Sequence, residues 1–140
     1  MTDEQIALIQ TSWAQVEPIA DTAAQIFYER LFATAPEVRR LFPDDLTEQR
    51  RKLMATLGMV VKALPKLAQI IPNVQALGRR HAAYGVLPEH YAIVGSALLW
   101  TLEQGLGDAF TPDVRDAWTT AYGILAATMQ DAAEELPAAA

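Results

Sequence analysis

Apolar residues along this chain return every three or four positions almost from end to end, the spacing that lines up one face of an α-helix. Ile6, Ile9, Trp13 and Val16 share one such face; Ile19, Ala23, Phe27 and Leu31 share another. No stretch alternates at period two for long, and no Asn-Gly or Asp-Gly turn interrupts the pattern, so strands are not expected. Thr2, with Gln5 three residues on, forms a capping box for the first helix, and Pro18 stands near the start of the second. Thr34-Ala35-Pro36-Glu37 combines an N-cap, an early proline and a capping glutamate, and predicts a short helix to about Leu41. Phe42 to Asp45 is a loop. Thr47 then caps a longer helix through about Leu64, which Pro65 ends. Pro72 opens the next helix, with Gly85 at the left-handed C-terminal position. Pro88 starts another that fades near Gly105 and Gly107, and Thr111-Pro112 begins the last, to about Glu135. Every proline except Pro137 falls at such a boundary. The pattern predicts an all-α domain of roughly seven or eight helices, too uneven in length for a symmetric four-helix bundle.

The length of 140 residues with 51% hydrophobic content suits one domain over residues 1–140 with a core of its own. A net charge of −6 disfavours nucleic acid and anionic membrane surfaces. The chain has no cysteine, which excludes disulfides, thiolate nucleophiles and cysteine metal sites. The opening MTDEQIALIQ carries acids where a signal peptide has a basic start. The apolar stretch YAIVGSALLWTL is too short to span a bilayer. A cytoplasmic protein with no membrane span is expected.

The candidate chemistry gathers in GRRHAAYG, residues 78–85. Val74, Leu77 and His81 fall at i, i+3 and i+7 on one helical face, while Arg79 and Arg80 point elsewhere. That spacing projects the imidazole inward among aliphatic residues, where leaving it unpaired costs on the order of a few kcal/mol. His81 therefore needs a hydrogen bond, a metal or a ligand. Tyr84, Tyr91 or a carbonyl would satisfy it as an ordinary core histidine. A zinc site is hard to build, because His90 is the other histidine and reads as a surface residue in a first helical turn. Haem iron differs: the macrocycle supplies four nitrogens, so one imidazole suffices.

The segment LGRRHAAYGVLPEHYAIVG, residues 77–95, resembles the proximal region of bacterial single-domain globins. Hell's Gate-type and Vitreoscilla-type haemoglobins and the globin heads of flavohaemoglobins have similar segments. The resemblance continues in colinear order through FYERLF at 27–32, LF at 41–42, QRRKLMATLG at 49–58 and AWTTAYGILA at 117–126. It implies a globin fold around a haem b pocket, with His81 as the proximal ligand to the haem iron and Phe42 wedged against the porphyrin. It places Tyr28, Gln49 and Leu53 on the gas-binding side; Gln49, Leu53 and Thr56 indeed form an i, i+4, i+7 stripe. Lys52, Arg79 and Arg80 are candidates to stand near the haem propionates. Tyr91 matches the tyrosine of a proximal tyrosine–glutamate pair in flavohaemoglobin-type proteins. The glutamate position aligns with Ala133, and Glu134 lies one residue late, about 100° around the helix.

The function implied is tight binding of O2, and of NO or CO, at a five-coordinate ferrous haem with a Tyr/Gln distal pocket, in oxygen binding or transport. The alternatives are a nitric oxide dioxygenase working in nitric oxide detoxification with an external reductase, and a haem-based gas sensor acting through a partner. No GxGxxG dinucleotide fingerprint is present.

Overall fold

The computed structural model describes residues 1–134, so the predicted end of the last helix and Pro137 lie outside the described residues. Six α-helices follow one another: α1 (Asp3–Val16), α2 (Ala20–Thr34), α3 (Thr47–Ala63), α4 (Ile71–Ala83), α5 (Pro88–Leu106) and α6 (Pro112–Glu134). Short 3-10 segments join several of them, at Glu17–Ile19, Pro36–Leu41, Leu64–Gln69 and Gly107–Ala109. The count of seven or eight expected from the sequence included pieces that wind as 3-10 turns.

The helix signals act as the residue types dictate, with instructive exceptions. Thr2 Oγ1 accepts the Gln5 N–H (3.1 Å) and Gln5 Oε1 accepts the Thr2 N–H (3.0 Å), the reciprocal cap that the sequence predicts. Thr111 Oγ1 accepts from Val114 at the head of α6. Thr34 caps nothing ahead of it. Its hydroxyl donates back to the Arg30 carbonyl (2.9 Å), so it closes α2, and Pro36 opens a 3-10 segment rather than an α-helix. At α3 the cap belongs to Asp45, whose carboxylate accepts both the N–H and the hydroxyl of Thr47 (2.9 and 2.7 Å).

These two bonds hold the exposed Asp45 carboxyl below its ordinary value of 3.8. A depressed folded-state pKa means that the stability it lends is present above 3.8 and is lost as pH falls through the lower value. An NMR titration of Asp45 is therefore expected to show a midpoint below 3.8, with the Thr47 amide exchanging faster once Asp45 is protonated. A midpoint at the ordinary value would remove the cap.

His90 corrects a second expectation. It is 8% exposed, and its Nδ1 accepts the Leu87 N–H (3.0 Å) at the head of α5, so the ring caps a helix rather than facing water.

The helices pack with α2 on α5, α4 on α6 and α1 across α6, while α3 lies on α2. Ile9, Phe27, Leu31, Leu102 and Trp118 meet in the core between them. A buried polar bond ties α6 to α1 there, from Trp118 Nε1 to Ser12 Oγ (2.9 Å), and Ser12 in turn donates to the Leu8 and Ile9 carbonyls. No buried indole or hydroxyl is left unpaired by that arrangement. Two close approaches depend on glycine. A Cβ on Gly78 would stand 2.3 Å from the Met129 carbonyl oxygen, and one on Gly95 would stand 2.7 Å from the Tyr122 ring. Gly85, at φ +97°, ends α4 in the left-handed conformation that its position predicts. Among the described residues no single helix is long and apolar enough to cross a membrane.

Candidate functional site

Between α3 and α4 the chain turns through 115°. The bend falls at Ile70, between Gln69 and the start of α4, and Lys66, with φ −131° and ψ 46°, adds a kink inside the connecting 3-10 segment. The two helices consequently diverge: α3 is held by α2 and α1, and α4 by α6. The candidate residues stand on this divided frame in two groups.

One group is built on α2, the 3-10 segment that follows it and the start of α3. Tyr28 is 4% exposed and is wedged among rings: Phe27 at 4.9 Å, Phe42 at 5.6 Å and Phe32 at 5.9 Å between centroids. Phe42 also meets Phe32 edge-on at 5.4 Å. These are the offset and T-shaped contacts that ring quadrupoles favour. Burial pushes the Tyr28 hydroxyl above its ordinary pKa, and the hydrogen-bonding side chain of Gln49 works against that rise. Gln49 and Leu53 are partly buried, as is Thr56 on the same stripe, and Leu53 packs against the core. Lys52 is exposed beside them.

The second group lies on α4, α5 and α6. The buried face of α4 is Val74 and Gly78, pressed on α6; Leu77 and His81 are only partly buried. The imidazole thus stands at the edge of the packed interface, not in its middle as periodicity predicts. Of the partners open to it, the carbonyl is the one used. His81 Nδ1 donates to the Leu77 oxygen at 2.8 Å. Tyr84, with its ring 6.4 Å away, is 65% exposed. A carbonyl only accepts, so Nδ1 carries the proton and Nε2 keeps its lone pair. Burial lowers the pKa of His81, the Leu77 bond opposes this and Arg80 adds to it, so the neutral ring is favoured. A neutral imidazole of fixed tautomer, oriented through its far nitrogen, is the form in which histidine ligates a metal. The residues present therefore fit a haem iron.

Tyr91 is partly buried in the first turns of α5, and burial raises its pKa. It lines a cleft of about 200 Å³ together with Ala82, Ala133 and Glu134. Ala133 and Glu134 both reach this space, although the helical offset separates them. The Tyr91 carbonyl accepts a 2.6 Å bond from the Tyr122 hydroxyl, itself raised in pKa by burial and by Tyr91. Arg79 is partly buried and Arg80 exposed; among the described residues the one ion pair joins Arg51 to Glu48, away from both.

The two groups are not joined by any hydrogen bond or ring contact among the described residues. Sequence reasoning missed Phe32, Arg39 and Tyr122. Phe32 was within reach, four residues after Tyr28 on the same helical face. Arg39 bonds to carbonyls, which leave no mark in a side-chain pattern.

The arrangement has counterparts. The Globin family model matches residues 25–129. The flavohemoprotein of Bacillus subtilis is 33% identical over 129 residues, covering 90% of this chain and 32% of that protein. The flavohemoprotein of Pseudomonas putida is 37% identical over 137 residues, covering 95% of this chain and 35% of its own length. This chain thus spans about a third of the length of these relatives. A solved bacterial globin from Campylobacter jejuni superposes with a TM-score of 0.85 at 28% identity, covering 96% of this chain and 97% of that one.

Proposed function

Because the chain belongs to the globin family, we propose that it holds haem b through His81 and binds O2, with NO and CO as related ligands, beside a polar wall made by Tyr28 and Gln49. The observation that carries this reading is the bond from His81 Nδ1 to the Leu77 carbonyl, which leaves Nε2 as a free donor on a helix edge. Haem, when bound, would supply an iron able to take a diatomic gas, and because the macrocycle brings its own nitrogens the single imidazole of His81 would be enough to hold it. Phe42 would pack on the macrocycle, Leu53 would narrow the gas side, Lys52 would face a propionate, and Tyr91 would lie on the His81 side. Reconstitution with haem tests the whole: a Soret band at one haem per chain and a five-coordinate ferrous spectrum are expected, and no Soret band ends the reading.

Tyr28 brings a hydroxyl that stays protonated, because burial raises its pKa. Gln49 brings amide N–H groups. These donors could bond to a gas that draws negative charge, as O2 would, in charge-assisted bonds of about 1.5–3 kcal/mol each. CO draws far less. Tyr28→Phe is therefore expected to speed O2 dissociation about tenfold or more while changing CO release much less, as stopped-flow ligand exchange measures. An unchanged O2 rate would mean that the hydroxyl is aimed elsewhere.

The match to flavohemoproteins favours a second reading, nitric oxide dioxygenation with electrons from a separate reductase. Repeated consumption of NO in the presence of O2 and a reductant would support it; a single round would leave binding alone.

A further inference from the structure

Arg39 makes an unusual set of contacts for a charged side chain. Its Nη1 donates to the carbonyls of Phe42 (3.2 Å) and Pro43 (2.9 Å), and its Nη2 donates to that of Asp44 (3.2 Å). Its own carbonyl accepts the Phe42 N–H at 3.1 Å. Both main-chain polar groups of Phe42 are thereby tied to one residue. The guanidinium carbon also stands 5.0 Å from the centroid of Phe32, over the ring. No carboxylate pairs with it among the described residues. Its charge is directed at three successive loop carbonyls and one aromatic face, a task that suits a planar fork and not the point charge of lysine.

We propose that Arg39 is a positioning residue for the gas-side wall. It fixes the loop that carries Phe42 and, through Phe42 and Phe32, the direction of the Tyr28 hydroxyl. The inference rests on the role given to Tyr28 above. Tyr28, Phe32 and Phe42 touch one another pairwise, so the phenol ring is set by its two neighbours. Arg39 holds one of these neighbours by its backbone and the other by its ring. A loop whose carbonyls converge on one cation cannot relax at a single residue without loosening the next.

The test uses Arg39→Leu and Arg39→Lys, each alone and combined with Tyr28→Phe, in the haem-loaded protein. Three quantities are read: O2 dissociation, the C–O stretching band of bound CO, and hydrogen exchange at the amides of Phe42 and Val38, two backbone donors bonded within the Pro36–Leu41 turn and at its end. Both Arg39 variants are expected to speed exchange at these amides, to broaden or split the C–O band, and to accelerate O2 release about threefold or more, the scale of coupling between touching groups. In the Tyr28→Phe background the added effect on O2 release should vanish. The lysine variant keeps the charge without the fork, so it carries the test even where the leucine variant folds poorly. Wild-type rates and bands in the Arg39 variants overturn the proposal. So does an equal acceleration with and without the Tyr28 hydroxyl. If Tyr28→Phe alone leaves O2 release unchanged, the role of Tyr28 fails and this inference fails with it. An altered Tyr28→Phe beside silent Arg39 variants overturns the inference by itself.

Discussion

Replacing His81 by glycine is expected to weaken haem retention by at least about a hundredfold, more than the loss of a partner that only orients a metal ligand costs. The histidine is bonded through Nδ1 to Leu77 within its own helix, and its partly buried ring stands at the edge of the α4–α6 contact. His90, the second histidine in the chain, cannot take over: its Nδ1 is engaged at the head of α5 and the ring is buried there. The glycine variant should therefore fold, show little Soret absorbance after gel filtration, and regain a haem spectrum when free imidazole is added. Thermal melts of the haem-free proteins provide the control, since removing one partly buried ring should change them little. A glycine variant that kept haem with an unaltered ferrous spectrum would refute the assignment of position 81.

The second large effect is structural and lies one turn earlier. Gly78→Val should destabilise the protein by about 3 kcal/mol or more, at the upper end of overpacking costs, and lower Tm by about 10 °C for a domain of this size. The reason is the identity of the atoms in the way. A Cβ at position 78 would stand 2.3 Å from the oxygen, 2.5 Å from the Cα and 2.7 Å from the carbonyl carbon of Met129. All three belong to the backbone of α6, so no side-chain rotation clears the overlap, and α4 must lift from the helix that holds it. His81 rides on α4, three residues on, and haem affinity should fall together with Tm. A melt within about a degree of wild type, or a sharp fall in Tm without any change in haem binding, would break the link drawn between the crossing and the ligand.

Gly78 also marks how far the sequence was legible. The periodicity of Val74, Leu77 and His81 placed the histidine on the right helix and roughly on the right side of it. It could not tell which part of that side is pressed on α6, because a glycine at a helix crossing is silent in an apolar count. The buried stripe proved to run through Val74 and Gly78, which leaves His81 at the margin. Caps divided in a similar way. Thr2 and Thr111 had the right residue at the right offset and no competitor. Thr34 and Thr47 had the right residue, but a hydroxyl can turn back to a preceding carbonyl, and a neighbouring carboxylate is the stronger acceptor. His90 was misjudged because imidazole is rarely weighed as a cap, although its ring nitrogen accepts as a glutamine oxygen does. The cluster around Tyr28 joins residues from α2, the loop after it and α3. Such proximity is a property of the tertiary fold, and what pointed to it in the sequence was resemblance rather than spacing.

The oxygen that holds His81 is part of the main chain. Many ligating imidazoles lean on a carboxylate, whose charge raises the donor strength of the ring and changes with acidity. A peptide oxygen has no proton to gain in the ordinary range and is present whatever amino acid occupies position 77. Exchanging Leu77 therefore leaves the bond to the imidazole in place, whereas a change in the path of α4 would alter it.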